Sequence, residues 1–393
     1  MMNTEKINLV SDTIDKTDIK RLVEWLSGDE IPRLTKGPIT VEFENKWSSW
    51  LGVKRSIYVN SGSSAILLAL ASLREAKMLK NDKVIVPNLS WLTDVSSPIQ
   101  LGMQPILCDC NMEDLSVNLN ELEKLIIEND PSALILVSVL GLVPNMFKIK
   151  ELCDKYDVRL IEDVCESMGS EYNGQKLGTF GDVSLFSLYY GHHLSTIEGG
   201  LISTNNEELS EIIVSMRSHG WDRDWTKERQ EEFREKYKIS EFDSLYTFYY
   251  PGYNLRATDL QAFIGITQID KLDDFVYKRN SNFKLYESLL RNYNELKIDI
   301  RSNDLVSNFA YPFVAKSQDE RSNIVKRLID NGIEVRPLIA GSMGSKPFWI
   351  EYKGKEEFFD NSSIINDRGF YIPNHQGLTI EDITKISKII INE

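Results

Sequence analysis

Residues 160–200, LIEDVCESMGSEYNGQKLGTFGDVSLFSLYYGHHLSTIEGG, set the architecture of this chain. One apolar run ends on the acidic pair Glu162 and Asp163, and a second, Val183 to Ser187, ends on a serine. A glycine-flanked loop carrying His192 and His193 then leads through Glu198, Gly199 and Gly200 into a third run, Leu201 to Thr204. Short β-rich runs that stop on polar residues deliver those side chains to one edge of a parallel sheet, the carboxyl edge where open α/β folds bind ligands. The first of these runs spans Arg159 to Glu162, and further strand-like runs lie at Ser56 to Val59, Lys83 to Pro87, Pro105 to Cys108 and Ala133 to Ser138, with helical patterns such as Ser64 to Ala76 and Leu119 to Ile127 between them. This alternation predicts an α/β domain around a mostly parallel seven-stranded sheet.

Beyond Thr204 the pattern changes. Residues 207 to 218 read as a helix, and the charged, aromatic stretch from Trp221 to Tyr250 has no clear period and reads as a solvated insertion. A long helix from Asp259 toward Tyr286 bridges to a smaller α/β carboxy-terminal domain, with strands near Phe309 to Val314 and Glu334 to Pro337 and helices at Glu320 to Asn331 and Ile380 to Ile391. The expected division is 1–270 for the large domain, including an amino-terminal arm, and 271–393 for the small one.

Composition narrows the function. The 393 residues are 42% hydrophobic and 26% charged, an ordinary globular balance. Lys plus Arg is 45 against 59 for Asp plus Glu, and a net charge of −14 repels a phosphate backbone, so nucleic acid is not an expected partner. The longest nearly apolar run, Ser132 to Val143, is far shorter than the roughly 20 residues needed to cross a bilayer. Glu5, Asp12 and Asp15 interrupt the amino terminus where a secretory signal would be apolar, so a cytoplasmic protein with no membrane contact is expected. Cys108, Cys110, Cys153 and Cys165 are too few for a disulfide scaffold and fit a reducing compartment. Cys108 and Cys110 flank Asp109 at strand spacing and read as buried hydrophobes rather than metal ligands.

Three segments could carry chemistry. In Asn60 to Ala65 (NSGSSA) a small-residue turn opens a helix, and free N–H groups at a helix start hold phosphate, although taken alone the segment fits a plain turn better. Glu162 and Asp163 place carboxylate at the strand end. The loop with His192 and His193 holds two of only four histidines and reads as a catalytic or cofactor loop.

Together these segments resemble the DegT/DnrJ/EryC1/StrS sugar aminotransferase family of fold-type I, aspartate aminotransferase-like pyridoxal phosphate enzymes, over nearly the whole chain. Its motifs stand here as LTKGPITVEFENKWSSWLGV (34–53), VNSGSSAILLAL (59–70), VIVPNLSW (84–91), residues 160–188, EGGLISTN (198–205), MRSHGW (216–221) and PGYNLRATDLQAFIGITQI (251–269). The resemblance implies Asp163 as partner of the cofactor's pyridine nitrogen and Gly62, Ser63 and Ser187 as phosphate binders. It implies Trp91 as the stacking aromatic and Asn254 as a phosphate contact from a neighbouring subunit, hence a homodimer with shared active sites.

One position departs. Family aminotransferases carry a lysine seven positions into a segment like FSFHPTKNLTTGEGG, and here FSLYYGHHLSTIEGG puts His192 there. No lysine lies between Lys176 and Lys227, and Lys176 falls in a hairpin motif, NGQKLG, of the family surface. Imidazole cannot form the internal Schiff base of a transaminase, but it can move protons near neutral pH. The pattern resembles the family's histidine-containing dehydratase branch, with CESMG at 165–169, TIEGG at 196–200, SHGW at 218–221, PGYN at 251–254 and VRP at 335–337. In that branch Glu166 stands near the cofactor hydroxyl.

The implied activity is a lyase reaction using pyridoxamine 5′-phosphate, in which the C3 hydroxyl of a nucleotide-linked 4-keto-6-deoxyhexose, GDP-4-keto-6-deoxy-D-mannose by resemblance, is lost. His192 is the implied catalytic group and L-glutamate the amino donor that recharges pyridoxal phosphate. His219 and Arg336 are candidates for substrate contact, while His193 and His375 have no assigned role. A sugar aminotransferase with an atypical histidine and a non-catalytic relative remain alternatives. The related subgroup that uses an iron–sulfur cluster and a reductase needs clustered cysteines, which Cys108, Cys110, Cys153 and Cys165 do not resemble, so neither is expected.

Overall fold

The computed structural model describes residues 6–392; Glu5 lies outside the described residues. Helices α1 (Lys16–Leu26) and α2 (Pro38–Leu51) come first, α1 started by a capping box between Asp15 and Asp18. A strand–helix rhythm follows: β1 (Arg55–Val59), α3 (Gly62–Glu75), β2 (Lys83–Pro87), α4 (Leu92–Gln100), β3 (Gln104–Cys108), α5 (Leu119–Asn129), β4 (Ala133–Val137), α6 (Met146–Lys155) and β5 (Arg159–Asp163). The hairpin β6 (Glu171–Tyr172) and β7 (Gln175–Lys176) precedes β8 (Val183–Ser187) and β9 (Gly200–Thr204).

Seven of these strands make one sheet in the order β1-β9-β8-β5-β4-β2-β3. It is parallel from β8 through β3, and β9 alone runs antiparallel to both neighbours, because it returns directly from β8 without a crossover helix. Every residue of β4, β8 and β9 is buried, as helices on both faces of a parallel sheet require. Lys176 lies on the β6–β7 hairpin as expected, its Nζ donating to the Trp50 carbonyl at 2.6 Å.

The stretch from Trp221 to Tyr250, read from sequence as a solvated insertion without clear period, is largely exposed and contains helices. After α7 (Glu207–Arg217) it forms α8 (Lys227–Tyr237) and the short α9 (Glu241–Ser244). Trp225 is pinned by its Nε1–H to the Glu211 carbonyl at 2.8 Å, and Phe233 is buried edge-on to it with ring centroids 4.8 Å apart. One aromatic face suffices to dock a helix whose remaining residues are almost all charged.

Helix α10 (Asp259–Leu290) starts with a Thr258/Gln261 capping box and contacts both α2 and the carboxy-terminal helix, so the boundary expected at 270 falls inside it. The remaining elements are β10 (Ala310–Val314), α11 (Gln318–Asp330), β11 (Arg336–Pro337), α12 (Pro347–Lys353), α13 (Asp360–Arg368), β12 (Gly369–Pro373) and α14 (Ile380–Ile391). Their strands form a separate antiparallel sheet, β10-β12-β11. Two buried polar side chains fasten this part to the large sheet. Asp109, at the end of β3, accepts the Asn361 and Ser362 N–H groups at 2.8 and 2.9 Å and so caps α13, and Asn88, after β2, accepts the Gly344 N–H at 2.8 Å. Cys108 and Cys110 are buried on either side of Asp109, and burial, with Glu121 and Asp109 adding negative charge, pushes the Cys108 thiol well above its usual range.

Candidate active site

The carboxyl ends of β1, β2, β4, β5 and β8 open into one cavity of about 710 Å³, closed from the other side by residues of the three-stranded sheet. Of the residues singled out from sequence, Gly62, Ser63, Trp91, Asp163 and Glu166 line it, and so do Ser187, His192 and Arg336.

At one end lies the start of α3. Ser61 caps the helix by accepting the Ser64 N–H at 3.1 Å, leaving the N–H groups of Gly62 and Ser63 outside the helical bonding pattern with the positive end of the dipole behind them. A Cβ on Gly62 would sit 2.8 Å from the Ser187 Cβ and 3.3 Å from the Cys165 Sγ, so only glycine lets the helix start meet the end of β8. Gly200 serves the same approach from β9, where a Cβ would lie 2.3 Å from the Ser61 carbonyl oxygen. Two free amides and the Ser187 hydroxyl therefore converge on a space suited to a phosphate.

At the other end, the alternation of β5 separates its two acids. Glu162 turns away from the cavity and accepts the N–H groups of Gly178, Phe180 and Gly181 at 2.6–2.7 Å; burial raises it to about 7. Asp163 faces the cavity, its Oδ1 accepting the Cys165 N–H at 2.9 Å. Glu166 accepts the N–H of Leu140 at 2.8 Å, and burial, with the Asp163 charge adding to it, pushes its carboxyl to about 7.

His192 stands in the cavity wall, half-buried, its ring 5.4 Å from that of Phe309. Desolvation holds the imidazole down at about 4, with the buried Arg279 guanidinium adding to the effect and the Cys165 backbone opposing it. His193 is fully buried and its Nε2 pairs with the Ser307 carbonyl at 2.9 Å, which ties the loop to the β10 side. His375 holds the amino-terminal segment through the Asn8 carbonyl at 3.2 Å.

His219 and Asn254 do not join this cavity within one chain. A bridge between Ser218 and Asn254 sets them side by side elsewhere, with His219 in the left-handed region at φ 66° and Asn254 exposed. Arg336 is in the cavity but paired with Glu334 at 2.5 Å. Several lining residues carried no sequence signal. Asn8, Leu9 and Val10 reach the site because the Leu9 N–H bonds Glu334 at 3.2 Å, and Phe309 and Tyr371 come from the second sheet. Asp94, in the first turn of α4, looks in sequence like an ordinary acid at a helix start, yet it is completely buried in the cavity wall.

Comparison with known proteins agrees with this geometry. The sequence pattern of the "DegT/DnrJ/EryC1/StrS aminotransferase family" matches residues 12–391. The chain is 30% identical to the GDP-4-keto-6-deoxy-D-mannose 3-dehydratase of Yersinia pseudotuberculosis, over 97% of both proteins. Among solved structures it is similar to E. coli GDP-4-keto-6-deoxy-D-mannose-3-dehydratase with bound hydrated PLP, at a TM-score of 0.88 and 28% identity over 98% of this chain and 99% of that one. The same dehydratase with a trapped PLP-glutamate geminal diamine gives a TM-score of 0.86 and 28% identity, over 98% and 100% of the two chains.

Proposed function

As the chain belongs to the DegT/DnrJ/EryC1/StrS aminotransferase family, we propose that it is a pyridoxamine phosphate-dependent dehydratase that removes the C3 hydroxyl of GDP-4-keto-6-deoxy-D-mannose. The observation that carries this reading is His192 in the cavity wall, with no lysine among the described residues that line the cavity. The site residues fit the cofactor: amides of Gly62 and Ser63 with the Ser187 hydroxyl for the phosphate, Asp163 for the pyridine nitrogen, Glu166 for the ring hydroxyl and Trp91 for the ring face. When bound, the protonated pyridine ring supplies an electron sink. Asp163 keeps that ring nitrogen charged, and His192, neutral because its surroundings disfavour the imidazolium, takes the proton from the cofactor's C4′ carbon. Lacking an amine, His192 forms no covalent tether, which favours loss of the C3 hydroxyl over a completed amino transfer.

The overall exchange balances. L-Glutamate becomes its 2-oxo acid, its two electrons replace the C3 hydroxyl by hydrogen, and its nitrogen leaves as ammonia. Arg336 is the guanidinium available in the cavity for a carboxylate or phosphate of either partner. Incubating the protein with the GDP-4-keto sugar, pyridoxal phosphate and glutamate should give a sugar product that has lost the C3 oxygen and gained no nitrogen by mass spectrometry. An amino sugar as product would establish the aminotransferase instead.

The separation of His219 and Asn254 from their own cavity supports a homodimer in which both reach the partner's site. Co-expressing a His192→Asn chain with an Asn254→Ala chain should then restore about one quarter of wild-type activity, since half of random dimers are mixed and each mixed dimer holds one intact site. Activity no greater than that of the two variants apart would put Asn254 to work within its own chain, or not at all. The enzyme's working environment is read as the cytoplasm. This fits the absence, among the described residues, of any helix long and apolar enough to cross a membrane.

A further inference from the structure

The cavity holds a carboxyl group for which the dehydratase reading has no use. Asp94 is completely buried; its Oδ2 accepts the Ser90 hydroxyl at 2.6 Å, while its Oδ1 has no hydrogen-bond partner among the described residues other than the carboxyl opposite. That carboxyl is Asp163, which lines the same cavity and, by its charge and as a hydrogen-bonding neighbour, adds to the burial that raises the Asp94 carboxyl. The other titratable groups at this spot come from the turn after β5: the Cys165 thiol, beside both carboxyls, and the Glu166 carboxyl, beside Asp163.

Two carboxylates that touch away from water cannot both be ionised, so the pair holds one proton. Its place follows from the surroundings. Asp163 keeps some exposure to the cavity and has the Cys165 N–H to stabilise a negative oxygen, whereas Asp94 has no exposure at all. We propose that Asp94 is a positioning residue, a neutral carboxylic acid whose O–H donates to the Asp163 carboxylate and aims it at the ring nitrogen of the cofactor. The last clause rests on the cofactor reading above; the proton on Asp94 does not. With Asp94 neutral, the charged ring meets a single negative charge rather than two, and the donated hydrogen bond fixes which oxygen is free to receive it.

The proposal is tested first on the cofactor-free protein. The infrared difference between wild type and Asp94→Asn near neutral pH should contain the carbonyl stretch of a neutral carboxylic acid and lack a lost carboxylate band. A lost carboxylate band would show both carboxyls ionised in wild type and overturn the proposal. The second arm is calorimetry of pyridoxal phosphate binding in two buffers of different ionisation heat. Asn has the shape of the neutral acid and keeps a donor, so Asp94→Asn should take up the same number of protons as wild type and bind within about threefold. Asp94→Leu, which keeps the branching at Cγ and removes the donor, should bind about tenfold or more weakly, because a hydrogen bond to a charged group is lost. A proton count that differs by about one between wild type and Asp94→Asn, or an Asp94→Leu protein that binds as wild type does, would sink the assignment. Folded wild-type protein that gives no binding heat would refute the cofactor reading, and the infrared arm would still decide whether the pair holds a proton.

Discussion

Replacing His192 with asparagine should lower the dehydration rate by about 10²–10⁴-fold, the range a lost general base costs, and leave pyridoxal phosphate affinity within about threefold. The two outcomes separate because the site is divided in space. Asparagine keeps a polar side chain of similar reach but can neither take nor return a proton at C4′. The groups assigned to the cofactor are untouched by the change: the α3 amides and Ser187 at one end and Asp163 at the other make no hydrogen bond to the His192 ring. The acidity of His192 sharpens the test. Desolvation and the Arg279 charge hold the imidazole at about 4, below its usual value, so the neutral base persists as pH falls and is lost only on passing through that range. The imidazole resonance that disappears in the asparagine variant should therefore keep its neutral position at about pH 5.5, where an ordinary histidine is mostly charged. A variant that still turns over within about tenfold of wild type would remove His192 from the proton transfer.

What the chain disclosed before its structure, and what it withheld, follows from the range of the interactions involved. Strands such as Val183–Ser187 and the helix Ile380–Ile391 were legible to the residue, because local periodicity and capping decide them. The cavity-facing sides of β1, β2, β5 and β8 were also legible, since a strand's carboxyl end and the turn after it lie within a few residues of each other. Contacts between distant segments were not. Nothing near Asn8 announces that Leu9 will bond Glu334, more than three hundred residues away, and so bring the amino-terminal segment over the site. Asp94 was hidden for another reason. An acid in the first turn of a helix is favoured by the dipole on any exposed helix, and only the fold reveals that this one is buried against Asp163. The helix inside Trp221 to Tyr250 was hidden because charge dominates the composition, while a few aromatic rings decide its packing.

Asp163→Asn should be as damaging as the histidine change but by a different route. A buried ion pair that loses one member costs about 3–5 kcal/mol, which predicts a fall of two to four powers of ten in turnover together with weakened cofactor binding. Asparagine fits the space and can still meet the Cys165 N–H, so the backbone after β5 has no cause to move. What disappears is the negative charge that keeps the ring nitrogen protonated and with it the electron sink. The cofactor-free protein should tell the opposite story. Asp163 receives the O–H of the neutral Asp94, and an asparagine in its place still offers Asp94 a hydrogen-bonding partner, so the melting temperature of the cofactor-free variant should stay within a few degrees of that of wild type. Loss of function with no loss of cofactor-free stability, measured by thermal unfolding and by the absorbance of the bound cofactor, separates a role toward the ring from a role in holding the fold. An Asp163→Asn protein that binds pyridoxal phosphate as tightly as wild type would require another partner for the pyridine nitrogen, and the neighbouring Asp94 carboxyl would be the first to test.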